Sequence, residues 1–158
     1  MRDMTLADLN GYTGEERTLN YYDGFSRKIY VVDREVDFPE GKLIVSSTNP
    51  AGIIIHTNQA FVEMSGYSEQ ELVGEDHYIL RHPDMPAVAF KGLWDTISTG
   101  VKWHGWVKNL RKDGAYYWVY ATVVPNIRDG KIVGYTSVRR KPSRRKVEEM
   151  SALYKTLL

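Results

Sequence analysis

From Lys42 onward the apolar and polar positions of the chain fall into two rhythms. KLIVSST, Lys42 to Thr48, and GIIIH, Gly52 to His56, are short apolar runs on either side of an Asn49-Pro50-Ala51-Gly52 turn, and they predict a hairpin. Helical punctuation follows. Thr57 or Asn58 caps a turn that carries Phe61 and Met64 and closes at Gly66; Ser68 opens a capping box with Glu71, in a helix that ends at Gly74. Phe90, Leu93, Trp94 and Ile97 then recur at i, i+3, i+4 and i+7, which predicts a longer helix up to Gly100. Alternation returns in VKWHGWVKNL (101–110), AYYWVYATVVPNI (115–127) and KIVGYTSVRR (131–140), three antiparallel strands joined at Asp113-Gly114 and Asp129-Gly130. The last segment, 142–158, reads as a helix with Val147, Met150, Tyr154 and Leu157 on one stripe. This order predicts an α+β fold, a five-stranded antiparallel sheet with short helices over one face and a pocket between the layers.

Residues 1–40 lack that regularity. MTLADLN suits a helical turn, and RKIYVVDREVDF has strand-like character before the break at Pro39-Glu40-Gly41. The chain is therefore divided into an N-terminal extension (1–40), a sheet-and-helix domain (41–142) and a C-terminal helix (143–158).

Composition narrows the function classes. At 158 residues one core of ordinary size is expected, and a net charge of +1 gives no global reason to bind nucleic acid or a membrane. No apolar run reaches the length of a membrane span, and MRDMTLADLN lacks a signal peptide's apolar core, so a cytoplasmic protein without direct membrane insertion is expected. The chain has no cysteine, which excludes disulfides, thiolate metal sites and thiol-linked chromophores. The chain has eleven tyrosines and four tryptophans, and these rings crowd most between Trp94 and Tyr135, where all four tryptophans and four of the tyrosines lie, as core or as walls for a planar ligand.

Two places carry candidate chemistry. LRHPDMP, Leu80 to Pro86, sets Arg81, His82 and Asp84 between two prolines on a stiff backbone. Asp84 also suits the entry of the following helix, and Arg81 could pair with it at the surface, so a helix start and a ligand site both remain open. On the first of the three strands, Trp103, Gly105, Val107 and Asn109 share a face, offering an indole, a gap and one amide to the layer between sheet and helices, or simply core and a satisfied turn. None of the four histidines (His56, His77, His82, His104) has a metal-ligand spacing, although one alone could serve a haem. No nucleophile elbow, phosphate loop or dinucleotide fingerprint is present, and no enzyme is expected. The run RRKPSRRK, Arg139 to Lys146, reads as a solvated hinge before the terminal helix, with docking to an acidic partner as the alternative.

These blocks together carry a resemblance. N-x-x-F-x-x-x-S-G-Y-S-x-x-E-L-x-G, Asn58 through Gly74, is similar to the opening helices of PAS domains. RHPDMP, then Leu93-Trp94, then W-x-G-x-V-K-N-x-R-K-D-G-x-Y-Y-W-V from Trp103 to Val119, resembles the sensory PAS domain of bacterial aerotaxis receptors over about residues 43–157. The resemblance implies a five-stranded PAS sheet holding FAD non-covalently and sensing redox or oxygen status for energy taxis. Carried across by motif, Arg81, His82, Asp84, Trp103 and Asn109 would belong to the FAD site, with Asn58 supporting it. The receptors of that family continue into membrane and signalling segments. This chain accordingly reads as a stand-alone sensor working with a methyl-accepting chemotaxis-type transducer or related signalling protein, at the membrane only through that partner, with a homodimer as a further expectation. A haem b oxygen sensor and a ligand-free dimerisation or scaffold module are the alternatives; a cysteinyl–flavin light sensor is excluded by the missing cysteine.

Overall fold

In a computed structural model that describes residues 1–158, the chain forms seven strands and four α-helices. They are β1 (Glu15–Asn20), β2 (Ser26–Val31), β3 (Ile44–Thr48), β4 (Ile54–Thr57), α1 (Gln59–Ser65), α2 (Glu69–Leu72), α3 (Ala87–Ile97), β5 (Trp103–Leu110), β6 (Tyr116–Arg128), β7 (Lys131–Arg140) and α4 (Arg144–Lys155), with 3-10 turns at Leu6–Leu9 and His77–Leu80. Five strands make one antiparallel sheet in the order β4-β3-β7-β6-β5, while β1 and β2 form a separate two-stranded hairpin. This is the α+β arrangement expected from the pattern.

Local chemistry sets the element ends. Asn58, rather than Thr57, caps α1 by accepting the Phe61 N–H, and Gly66 ends it in the left-handed region at φ 77°. Ser68 and Glu71 form the expected capping box on α2. At the β6–β7 junction both Asp129 and Gly130 have positive φ, as a two-residue primed turn demands. The β5–β6 junction differs. Only Gly114 has positive φ, Gly114 N–H returns to Arg111 C=O and Arg111 N–H to Ala115 C=O, so the loop is three residues long and bulged.

Alternation along β6 divides the molecule into two layers. Tyr117, Val119 and Ala121 face α1 and α2 in the main core with Phe61, Met64 and Leu72. Trp118 faces the other way and packs against Val147 and Tyr154 of α4. The helices therefore do not all lie on one face: α4 folds back across the outer side of the sheet. Leu157 is beyond the end of α4 and exposed, so three residues, not four, form its stripe.

The extension is built onto this frame. No apolar alternation marks β1, because EERTLN buries only Leu19; its order comes from six register pairs with β2. After β2, Val32 N–H donates to Gly114 C=O and Val36 N–H to Tyr116 C=O, so the chain lies beside the start of β6 where β7 no longer reaches. Met4, Leu9, Leu19, Ile29 and Val32 bury together with Leu110 in a second small core.

Candidate functional site

Trp103, Gly105, Val107 and Asn109 lie on the helix-facing side of β5, and Asn109 stands opposite Tyr117 in register. The gap expected at Gly105 is filled by its own neighbour: the Trp103 indole rests where a Cβ at position 105 would project. Trp103 and Val107 pack against the main core, so this face does meet the helices.

Deeper in the same layer is a group that pattern reading missed. Arg139, at the end of β7, pairs with Ala121 in register and is only 2% exposed. Its guanidinium donates to Ser46 Oγ and, at 3.1 Å, to His77 Nε2, and it lies 4.6 Å from the Phe61 ring centroid. No carboxylate offsets it. Burial lowers its pKa to about 10, with only the Tyr117 phenol acting the other way. Because arginine has donors only, His77 Nε2 is the acceptor and the ring is neutral; burial first, and the Arg139 charge second, push its pKa down to about 3. Arg139 Nε and Tyr117 Oη are buried without partners, and burial raises the Tyr117 phenol to about 12. The sequence reading of RRKPSRRK as a wholly solvated hinge is thereby corrected: Arg139 is in phase with Tyr135 and Ser137 on β7 and points inward, while Arg140 and Lys141 are exposed.

LRHPDMP runs along the free edge of β5. Arg81 bridges to Asn109 through the backbone, and Lys108 N–H points at Met85 Sδ, 3.4 Å away. The α3 N-cap is Pro86 and no side chain caps it, so Asp84 is not the helix cap. Its carboxylate accepts from Lys108 Nζ at 2.8 Å, and that ammonium lies 4.2 Å from the Tyr116 ring centroid. Nor does Arg81 pair with Asp84; its guanidinium lies against the Phe90 ring, 5.2 Å from the centroid. His82 is 1% exposed, accepts the Asp84 N–H on Nδ1 at 3.0 Å and meets Tyr116 edge-on. Burial, then the Lys108 charge, hold His82 neutral. Its proton therefore sits on Nε2, which has no partner.

The six residues singled out from the sequence are thus not one rim. Trp103 and Asn109 face the helices, with Arg81 joined to Asn109 through the backbone. Lys108 and Tyr116 alternate with Asn109 and Tyr117, which puts the His82–Asp84 cluster on the opposite side of the sheet. Asn58 is fully used in structure: Oδ1 accepts from Val45 and Phe61 N–H, and Nδ2 donates to Leu43 C=O. A haem finds no ready imidazole on the helix-facing surface, since His77 Nε2 is taken by Arg139 and His56 and His104 are exposed. What that surface offers is the Trp103 indole, polar atoms without partners at Arg139 Nε and Tyr117 Oη, and the Asn109 amide opposite Tyr117. Such a set suits a planar heterocycle with a polar edge.

Comparison with known proteins bears on the fold. The description of the PAS fold matches residues 54–139. The chain is 42% identical over 128 residues to the aerotaxis receptor of Escherichia coli (strain K12), covering 81% of this chain and 25% of the receptor. It is 34% identical over 104 residues to phototropin-2 of Oryza sativa subsp. japonica, covering 65% of this chain and 11% of that protein. Among solved structures, a light-oxygen-voltage domain studied with a flavin analogue superposes with a TM-score of 0.61 at 22% identity, covering 72% of this chain and 86% of that one. The light-state Aureochrome1 LOV domain does so with a TM-score of 0.61 at 23% identity, covering 70% and 88%. This chain thus spans a quarter or less of the two curated relatives and shares the fold of the light-oxygen-voltage domains. It belongs to the PAS family and is related in sequence to the aerotaxis receptor.

Proposed function

We propose that this PAS domain holds a flavin, FAD, without a covalent bond and reports its redox state to a chemotaxis-type transducer or related signalling partner. The observation that carries this reading is the pair of buried, partnerless donors, Arg139 Nε and Tyr117 Oη, on the face that also bears Asn109 and Trp103. Leaving a buried guanidinium without a counter-charge costs several kcal/mol, roughly, unless something polar answers it. An electron-rich ring edge in the layer would do so. Kinship with the aerotaxis receptor, and the likeness to a domain studied with a flavin analogue, favour flavin over other heterocycles.

The flavin, when bound, supplies the electron chemistry. The protein's part is electrostatic and mechanical. Arg139 supplies fixed positive charge where little water screens it, and Ser46 and His77 keep it from swinging away. Asn109 and Tyr117 sit opposite one another, ready to hydrogen-bond a ring edge on neighbouring strands. Trp103 would turn off Gly105 to admit the ring and stack on it. A shift of β5 reaches α4 directly, because Tyr154 donates its hydroxyl to Trp106 C=O at 2.7 Å on the outer side. In this reading residues 41–142 sense, α4 reports, and the His82–Asp84–Lys108 cluster fixes the edge of β5 without touching the cofactor.

The absorption spectrum of the freshly purified protein tests the reading. Flavin bands that are lost in Trp103→Ala and Asn109→Ala variants of unchanged circular dichroism are expected. A Soret band, or a colourless protein that takes up no added flavin, would overturn it.

A further inference from the structure

Between the N-terminal extension and α2 lies a cleft of about 350 Å³ that the flavin reading does not use. None of Arg139, Tyr117, Asn109 or Trp103 lines it. Two buried polar side chains do, Arg27 from β2 and Tyr67 just after α1, and Met4, Val73 and Ile79 add apolar wall. The volume is at the small end of the range for ligand pockets, roughly 300–1,000 Å³.

The charges around this cleft are matched in all but one place. Arg2 meets Asp8 at 2.8 Å, Lys112 meets Glu71 at 2.8 Å, and Glu75 lies 3.4 Å from the Met1 amino group. Arg27, only 2% exposed, meets no carboxylate. Its guanidinium donates from Nε to Arg2 C=O at 2.8 Å, from Nη1 to Ile79 C=O at 3.1 Å and from Nη2 to the Tyr67 hydroxyl at 3.0 Å. Those bonds fix the plane of the group and leave one N–H on each terminal nitrogen. The Tyr67 oxygen is the acceptor of its bond, and its own O–H donates to no group of the protein. Neutral acceptors orient a buried cation without cancelling its charge, and a desolvated charge lacking a counter-ion is strongly unfavourable.

We propose that this cleft binds a small monocarboxylate, its carboxylate on Arg27 and the Tyr67 hydroxyl and its short alkyl body against Met4, Val73 and Ile79. One negative charge is what Arg27 lacks, and a carboxylate can accept from both terminal nitrogens of a guanidinium. A phosphate dianion or a dicarboxylate would bring a second negative charge toward Asp8, Glu71 and Glu75, and that repulsion selects against it. The groups that hold Arg27 belong to the first residues of the chain, to the His77–Leu80 turn and to the residue after the Gly66 cap, so an occupant fastens the extension to the domain. His77 of that same turn accepts from Arg139, which gives the occupied cleft a route into the layer between sheet and helices. Neither the cleft nor its charges depend on a bound flavin.

Titration of the isotope-labelled full chain with sodium butyrate at fixed ionic strength, followed by backbone and arginine side-chain nuclear magnetic resonance, tests it. Saturable shifts at the Arg27 Nε–H and the Tyr67 amide are expected, with a dissociation constant of about 1 mM or lower, while the amides of α4 stay still. Succinate and inorganic phosphate should bind about tenfold more weakly or less tightly still. Val73 is 42% exposed, so a polar residue is tolerated there: Val73→Asp should weaken butyrate about tenfold, and the neutral Val73→Asn should not. Tyr67→Phe, with unchanged circular dichroism, should also weaken it about tenfold. No saturable shift at Arg27, equal affinity for phosphate, undiminished binding in Val73→Asp or Tyr67→Phe, or an equal loss in Val73→Asn would each overturn the site.

Discussion

The Trp103 indole lies on the backbone of Gly105, two residues along the same strand, in the place a side chain at 105 would need. A residue pair two apart on one strand face shares its space, so glycine at 105 is what lets the indole lie flat. Gly105→Val should force the ring outward and cost about 1–3 kcal/mol, the usual price of overpacking. Urea unfolding together with tryptophan emission checks this. Undiminished stability with unshifted emission would mean that the indole is not seated on Gly105.

Arg139 separates stability from function. It is buried with no acidic partner, so replacing it by methionine removes a desolvated charge and leaves Ser46 Oγ and His77 Nε2, already 3.4 Å apart, to meet each other. The flavin-free Arg139→Met protein is expected to be as stable as the parent or more so, by up to about 1–4 kcal/mol, while its flavin affinity falls. A loss of several kcal/mol in the flavin-free state would show that the guanidinium is already compensated in the fold.

The contrast between Arg139 and the rest of the site explains what could be read from sequence. Asn58, Ser68, Asp129 and the i, i+3, i+4 stripe of α3 are local signals, each decided by a few neighbouring backbone groups, and they placed the elements well. Trp103 and Asn109 were legible because alternation on β5 is regular. Arg139 was not, because five more basic residues follow within seven positions and composition there points to solvent. The phase from Tyr135 through Ser137 was the available clue. LRHPDMP misled for a different reason. Its neighbours in space are Lys108 and Tyr116, and which side of β5 its side chains reach depends on edge pairing that no local pattern encodes. The β1–β2 hairpin was invisible because its polar strand is ordered by register and tertiary packing rather than by propensity.

The Asp84–Lys108 contact pins that edge segment. Asp84 is 42% exposed, so water screens the pair, and a double-mutant cycle with Asp84→Asn and Lys108→Met should give a coupling of about 0.5–1 kcal/mol that shrinks in salt. The consequence for the site is indirect. Either variant should raise hydrogen exchange at Asn109 and Arg81 more than at β7. No change at those amides would mean that the edge is held without the ion pair.

The link from β5 to the terminal helix turns on one hydroxyl. Tyr154→Phe deletes the bond to Trp106 C=O but keeps the ring stacked on Trp118, with centroids 6.2 Å apart. About 0.5–1.5 kcal/mol of helix docking should be lost, seen as faster exchange across α4 with the sheet amides unaffected. If exchange in α4 stays as slow as in the parent, the helix is held by Val147 and Trp118 alone and β5 has no direct hold on it.

Acid sensitivity follows from two histidines. His77, down to about 3, and His82, also lowered, are neutral in the folded chain because burial opposes their charged forms. Unfolded, both would titrate near their ordinary value of about 6.5. Below that pH the unfolded chain binds more protons than the folded one, so stability must fall as pH drops, by up to about 1.4 kcal/mol per pH unit for each imidazole. The carboxyls held low by partners, Asp8, Asp84 and Asp113, add their own losses only below about pH 4. Asp76, raised by burial, works the other way and only as pH nears the carboxylate range. Urea midpoints measured between about pH 7 and pH 5 should therefore decline steadily. In His77→Gln, whose amide oxygen can still accept from Arg139, the decline should be about half as steep. A flat profile in the parent protein would show that the two rings are free to charge where they stand.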